Sequence, residues 1–346
     1  MVENVDVVID LQSGDTGKGK VAHALTNFPE HDYDYALRFN GGGNAGHTIY
    51  HKGQKVVTHQ IPVGIMNGVP SIIGPGCVVN LFKLEQEIEE LKSVGVPVDK
   101  LLMIDKRAHI VTGDHLLEDS KDTLIGTTKQ GIGPAYRDKY SRAGVRFGVM
   151  AELTDFKKYI VDVYDIFYSK KGINILAEGA QGFNLDIDWG DYPFVTTSHC
   201  TVGSVFLNGI APQALGNVYG VMKAYETYVG NKEFEPTNDP NLKLLRDFGS
   251  EFGATTGRPR QCNWLDLNSI KMAAQINGVT HIIINKMDIL EEVGVFNLYD
   301  EDGALKKFPN SEQFTQYIEQ FFYDDVNHTS TSLIEQVIWS RSPNGI

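Results

Sequence analysis

Val5-Asp6-Val7-Val8-Ile9-Asp10-Leu11, followed by Gly14-Asp15-Thr16-Gly17-Lys18-Gly19-Lys20 and then Val21-Ala22-His23-Ala24-Leu25, is the stretch that decides the fold. The first segment is mostly β-branched and apolar, as a strand covered on both faces must be. The glycine-rich segment is a turn, and the third resumes as a helix. Strand, turn and helix in this order open a doubly wound α/β sheet. Further buried strands are predicted at Ser71–Gly74, Leu101–Ile104, Ile173–Glu178, Val218–Lys223 and His281–Asn285. Amphipathic helices lie between them, such as Leu81–Leu91, where Leu81, Leu84, Ile88 and Leu91 recur at helical spacing. The expectation is an α/β fold with a large central, mostly parallel sheet flanked by helices. No repeat or obvious linker interrupts it, so residues 1–346 read as a single domain with loop insertions, with Ser311–Asp324 as a peripheral helix.

The bulk composition narrows the function. An apolar fraction of 42% and a charged fraction of 22% exclude wholesale disorder. The net charge of −13, from 31 Lys and Arg against 44 Asp and Glu, has the wrong sign for general nucleic-acid binding. Bound phosphates must therefore be met by local clusters of cations and amides. No stretch of about 18 consecutive apolar residues suggests a membrane span. The acidic start, Met1-Val2-Glu3-Asn4-Val5-Asp6, lacks a signal-peptide pattern. Cys77, Cys200 and Cys262 are scattered, without a CxxC, which fits a reducing cytoplasm and small buried hydrophobes.

Four segments carry chemistry. In Gly14–Lys20 the glycines let several N–H groups point at one anion, the next helix adds its positive end, and two lysines add charge. The segment fits G-x-x-x-x-G-K, but Val21 stands where a P-loop has the hydroxyl for magnesium, and Asp15 is the nearest carboxylate. Asn40-Gly41-Gly42-Gly43-Asn44-Ala45-Gly46-His47-Thr48 ends in a histidine able to approach a phosphate or carbonyl unhindered. Asn285-Lys286-Met287-Asp288, at the end of a hydrophobic strand, has the N-K-x-D form used to hold guanine. In Gly253-Ala254-Thr255-Thr256-Gly257-Arg258-Pro259-Arg260, two arginines on a Thr/Gly loop suit bidentate recognition of a carboxylate or phosphate. Phosphate loop and N-K-x-D alone also suit a GTP-hydrolysing switch, but a switch has no need of the Thr256–Arg260 loop.

Taken together the segments resemble adenylosuccinate synthetase, nearly end to end. Further matching stretches are Ile125-Gly126-Thr127-Thr128 with Gly131-Ile132-Gly133-Pro134-Ala135-Tyr136, and Glu178-Gly179-Ala180-Gln181-Gly182. Asp186-Ile187-Asp188, Tyr192-Pro193-Phe194-Val195-Thr196, Lys223-Ala224-Tyr225 and Trp264-Leu265-Asp266 complete the set. The resemblance implies a P-loop-like synthetase fold and a cytoplasmic C–N ligase that joins L-aspartate to C6 of a purine nucleotide through a 6-phosphoryl intermediate. Asp15 and His47 would be catalytic, with Mg²⁺ held by Asp15 and Gly46. Ser13, Asn44, Thr128, Arg142, Gln181, Thr196 and Arg258 would bind the purine monophosphate, Arg142 across a homodimer interface. Thr256, Arg258 and Arg260 would grip aspartate. Gly14, Thr16, Gly17, Lys18, Gly19, Lys20, Thr48, Lys286, Asp288, Ser340 and Pro343 would bind the triphosphate.

The chain also departs from the usual pattern. It is shorter than common bacterial members and ends just after its Ser-x-x-Pro segment. Pro259 and Gln261 replace two members of an arginine run, Tyr228 stands where arginine is usual, and Ser13 and Thr16 replace a tryptophan and a glutamate. The opening, with Thr16-Gly17-Lys18-Gly19, looks like a viral branch of the family, which would act in the host cytoplasm. That branch ligates aspartate to dGMP to make a 2-aminoadenine deoxynucleotide precursor. Exchanging an indole for Ser13 would open room for an exocyclic amine beside the purine's N1–C2 edge, whereas retention of Asp15 speaks for the ordinary enzyme. The sequence thus favours dGMP over IMP as acceptor, with GTP suggested by N-K-x-D and ATP or dATP left open as donor.

Overall fold

A computed structural model describes residues 1–346 apart from Glu30, Lys52, Leu153, 237–238, 254–256, 327–333 and 341–346, and apart from the side chains of 325–326. Nine strands form one sheet. Their spatial order is Gln336–Trp339, His281–Asn285, Leu215–Lys223, Val2–Asp10, Ile173–Glu178, Tyr35–Arg38, Ser71–Ile73, Leu102–Asp105 and Ile160–Val161. Every neighbouring pair runs parallel. A parallel sheet must be covered on both faces, and alternate residues of each strand do this. Val5, Val7 and Ile9 enter one core with Ile175, Ala177, Ile282 and Ile284. Val8 enters the other with Leu176, Val221 and Ile283, under Val21, Ala22 and Leu25 of the first helix, Lys18–Leu25.

The predicted strands Ile173–Glu178 and His281–Asn285 coincide with the observed ones, while Val218–Lys223 extends back to Leu215. Leu101–Ile104 is displaced by one residue, because a short helix, Val98–Leu101, occupies its first position. Tyr35–Arg38 was not foreseen: four residues ending in a charge leave too little pattern. The helix Leu81–Ser93 buries Leu84, Ile88 and Leu91, and the Asn80 side chain caps it by accepting from Lys83 N at 3.1 Å. The peripheral helix is Ser311–Gln320, continued by a wider π turn at Phe321–Val326. No helix among the described residues is long and apolar enough to cross a membrane. The three cysteines are buried and unpaired, as expected.

A smaller mixed sheet, Tyr225–Tyr228, Gln261–Asp266, Phe296–Tyr299 and Leu305–Phe308, begins two residues after the strand Leu215–Lys223 ends. It thereby brings the Arg258–Arg260 loop to the carboxyl edge of the main sheet, where open parallel sheets bind ligands.

Candidate active site

Five adjacent strands of the main sheet end on a polar residue: in spatial order Asn285, Lys223, Asp10, Glu178 and Arg38. None is more than 4% exposed. Buried charge is costly unless paired, so each of the four charged ends has a partner, and these partners build the site.

Asp10 organises the phosphate loop. Its Oδ1 accepts from Gln12 N at 2.9 Å and Gly14 N at 3.2 Å. Its Oδ2 accepts from Thr16 N, the Thr16 hydroxyl and Lys18 Nζ, the last at 2.9 Å. The expectation that both loop lysines offer charge to a phosphate is therefore modified: Lys18 borders the site, but its ammonium pairs with Asp10. Lys20 points elsewhere, donating to Ser340 Oγ at 2.6 Å, and burial pulls its amine down to about 8 despite Asp288 nearby. Two glycines have clear causes. Gly17 sits at φ +104°, where a side chain is strained, and Asn285 Nδ2 packs against it while donating to Thr16 O at 2.7 Å. A Cβ on Gly19 would lie 2.6 Å from Cβ of His47, so this glycine admits the second loop.

His47 opens the hairpin His47–His51/Gln54–Thr58 and packs against the Arg38 guanidinium, each ring nitrogen 3.2 Å from one of its amino nitrogens. Glu178 Oε1 lies 2.7 Å from Arg38 and 3.4 Å from His47 Nδ1. Burial, together with Arg38, pushes the imidazole down to about 4, so it is neutral near pH 7. Asn40 ties this loop to the Glu178–Gly182 turn: it accepts from Ala180 N at 2.8 Å and donates to Ala180 O at 3.2 Å. In that turn Gln181 has φ +58°, and its Oε1 is buried with no hydrogen-bond partner among the described residues.

The third component is the arginine loop. Glu251 accepts from Lys223 Nζ at 2.8 Å, from Tyr225 OH at 2.6 Å and from Arg260. Burial raises its carboxyl, but Lys223 and Arg260 outweigh that and hold it down at about 2. Arg260 also donates to Asp15 Oδ2 at 2.7 Å, and Asp15 itself sits at φ +56°. Arg258 donates to Gly126 O at 2.9 Å, on a loop cinched by the Asp122 carboxylate, which accepts from the amides of Ile125, Gly126 and Thr127.

These components enclose a cavity of about 870 Å³. Of the residues singled out from the sequence, Ser13, Gly14, Asp15, Gly17, Lys18, Gly19, Asn44, Gly46, His47, Thr48, Thr128, Gln181, Thr196, Arg258, Arg260 and Lys286 line it. Thr16 is turned onto Asp10 and does not line it. Lys20 and Ser340 lie behind the loop with Asp288, which is in the first turn of Met287–Val293. Arg142 caps the helix Ile132–Ser141, exposed and away from the cavity wall. Thr256 and Pro343 lie outside the described residues. The sequence reading missed Asp10, Arg38, Lys223, Glu251 and Asp122, although a charge ending an apolar strand was a usable signal for the first three. Asp15 and Gly46 both line the cavity, and the donors they can offer, a carboxylate and a main-chain carbonyl, are hard oxygens of the kind Mg²⁺ takes.

Fold and cavity define an open parallel α/β protein with a phosphate loop facing an arginine-bearing loop. The family described as adenylosuccinate synthetase matches residues 7–169 and 153–328. The adenylosuccinate synthetase of Cytophaga hutchinsonii is 41% identical over 350 residues, 85% of this chain and 80% of the relative. The fully ligated adenylosuccinate synthetase structure from Plasmodium falciparum superposes with a TM-score of 0.81 at 30% identity, covering 99% of this chain and 98% of that one. The cyanophage S-2L succinoaminodeoxyadenylate synthetase bound to dGMP and dATP gives 0.76 at 22% identity, over 99% and 94% of the two chains, a likeness of fold alone. The chain belongs to the adenylosuccinate synthetase family. It is a C–N ligase of the kind that joins aspartate to a purine nucleotide.

Proposed function

We propose that the acceptor is IMP, that the donor is GTP, and that the metal is Mg²⁺. The observation that carries the ligase reaction is the shared cavity, in which Asp15, His47, the phosphate loop and both arginines border one space. The purine O6 is a poor leaving group as a carbonyl oxygen. Asp15 takes the proton from N1, O6 forms a bond to the γ-phosphorus, and the bond from that phosphorus to the diphosphate breaks. The amine of aspartate then adds at C6, the C6–O6 bond breaks so that phosphate leaves with O6, and the nitrogen gives up a proton. Neutral His47 donates an N–H to the charge developing on the transferred group. Asp15 and Gly46 would hold Mg²⁺, which when bound would supply positive charge to offset that of the phosphates.

Ser13, Asn44, Thr128, Gln181, Thr196 and Arg258 take the acceptor nucleotide, and Gln181 Oε1 supports this, since a buried acceptor with no donor among the described residues suits a ligand. Arg142, exposed and off the cavity wall, reaches an acceptor site in a second copy, which makes the working form a homodimer. Arg258, Arg260 and Thr256 take aspartate. The remaining loop residues, with Lys286, Asp288, Ser340 and Pro343, take the triphosphate.

Sequence alone inclined toward dGMP. The relatives at 41% and 30% identity carry the name of the enzyme that makes adenylosuccinate, the product of IMP, and they shift the choice. A second reading, dGMP with ATP or dATP, keeps one observation in its favour: small Ser13 borders the cavity beside Asp15. Incubation with Mg²⁺, a triphosphate, L-aspartate and either acceptor, read by mass spectrometry, tests both. Product from neither acceptor overturns the reaction, and a much higher kcat/KM for dGMP moves the acceptor to the second reading.

A further inference from the structure

Asp15 and Glu251 share one guanidinium, and their holds on it differ. Arg260 donates through Nη1 to Glu251 and through Nη2 to Asp15, the latter at 2.7 Å. Glu251 is fully buried and fixed by Lys223 and Tyr225, and Arg260 N donates to Glu251 O at 3.0 Å, so main chain and side chain close the same ring. The Asp15 side chain is 33% exposed on the cavity wall and has no other hydrogen-bond partner among the described residues. Arg260 is thus anchored by one arm and exchangeable at the other.

We propose that a carboxylate of the incoming dicarboxylate substrate takes the place of Asp15 on Arg260, so that Asp15 is released to act as base only when that substrate is bound. The inference rests on the ligase reading above. Replacing one carboxylate by another keeps the number of charge-assisted hydrogen bonds on the guanidinium, so the exchange runs close to balance. The Glu251 anchor keeps Arg260 in register throughout. Once released, Asp15 accepts the N1 proton, the O6–phosphorus bond forms, and the bond from the γ-phosphorus to the bridging oxygen breaks, the diphosphate leaving with the electron pair. While the dicarboxylate subsite is empty, the base stays paired and the triphosphate is not committed to an intermediate that water would destroy.

Succinate has both carboxylates of aspartate and no amine, so it separates release of Asp15 from the second half-reaction. The full chain is given Mg²⁺, the triphosphate and the acceptor that yields product with aspartate, with or without succinate saturating by competition against aspartate. Nucleoside diphosphate is measured after acid quench. Succinate is expected to raise its rate of formation about 5- to 150-fold, the usual range of coupling between two ligand sites. In Arg260→Lys, whose single ammonium cannot span both carboxylates, the dependence on succinate should vanish. Equal wild-type rates with and without succinate, or failure of succinate to compete with aspartate, overturn the coupling while product from aspartate leaves the ligase standing. Absence of product from aspartate overturns the ligase reading itself. The wild-type comparison decides the matter even where the variant does not fold.

Discussion

Asp15 Oδ2 and Arg260 Nη2 lie 2.7 Å apart although 245 positions separate them in the chain. The pair joins the loop assigned to the triphosphate to the loop assigned to aspartate. Asp15→Asn keeps an acceptor oxygen for Arg260 but cannot take a proton. Its kcat for succinylated product should fall about 10²- to 10⁴-fold, the usual contribution of a positioned base, with little change in melting temperature. A wild-type rate would remove Asp15 from that role.

Asp10 gathers the loop amides and neutralises Lys18, both charges being out of solvent. Asp10→Ala leaves Lys18 buried and unpaired, a change that costs about 3–5 kcal/mol. Denaturant unfolding should show that loss, and Asp10→Asn a smaller one. An unchanged midpoint in the alanine variant would mean that the pair is not the loop's keystone.

His47 makes stability depend on pH. Burial first, then Arg38, lowers its folded value to about 4 from the ordinary 6.5. As pH falls through 6.5 the unfolded chain takes up a proton that the folded chain refuses until about 4, so stability present above 6.5 is lost across that window, by roughly a few kcal/mol. His47→Gln should flatten the curve of unfolding free energy over the same range. A wild-type curve that is already flat there would show that the imidazole charges freely.

Ser13 offers the test of acceptor choice. Ser13→Trp fills the cavity wall beside Asp15. If a purine 2-amino group occupies that space, kcat/KM for dGMP relative to IMP should drop at least about tenfold, the scale of steric discrimination in a pocket. An unchanged ratio places the 2-position away from Ser13.

What could be read from the chain without its fold was whatever is local. The β-branched run before Gly14 must be a doubly covered strand, the glycine turn must present amides, and the two arginines beside Pro259 must lie close together, because each follows from neighbours a few residues apart. The same locality explains why Ile173–Glu178 and His281–Asn285 were legible to the residue and Tyr35–Arg38 was not. Charge pairing was beyond that reach. Lys18 and Lys20 look alike in sequence, yet one is neutralised by Asp10 and the other leans on Ser340. Arg38, Glu178 and His47 meet from three separate segments, and Asp15 meets the Glu251–Arg260 loop from the far end of the chain. Which ions end up together, and which imidazole or amine loses its proton as a result, depends on distance and exclusion of water across the sheet's edge. Those two quantities come into being only when the strands are laid side by side.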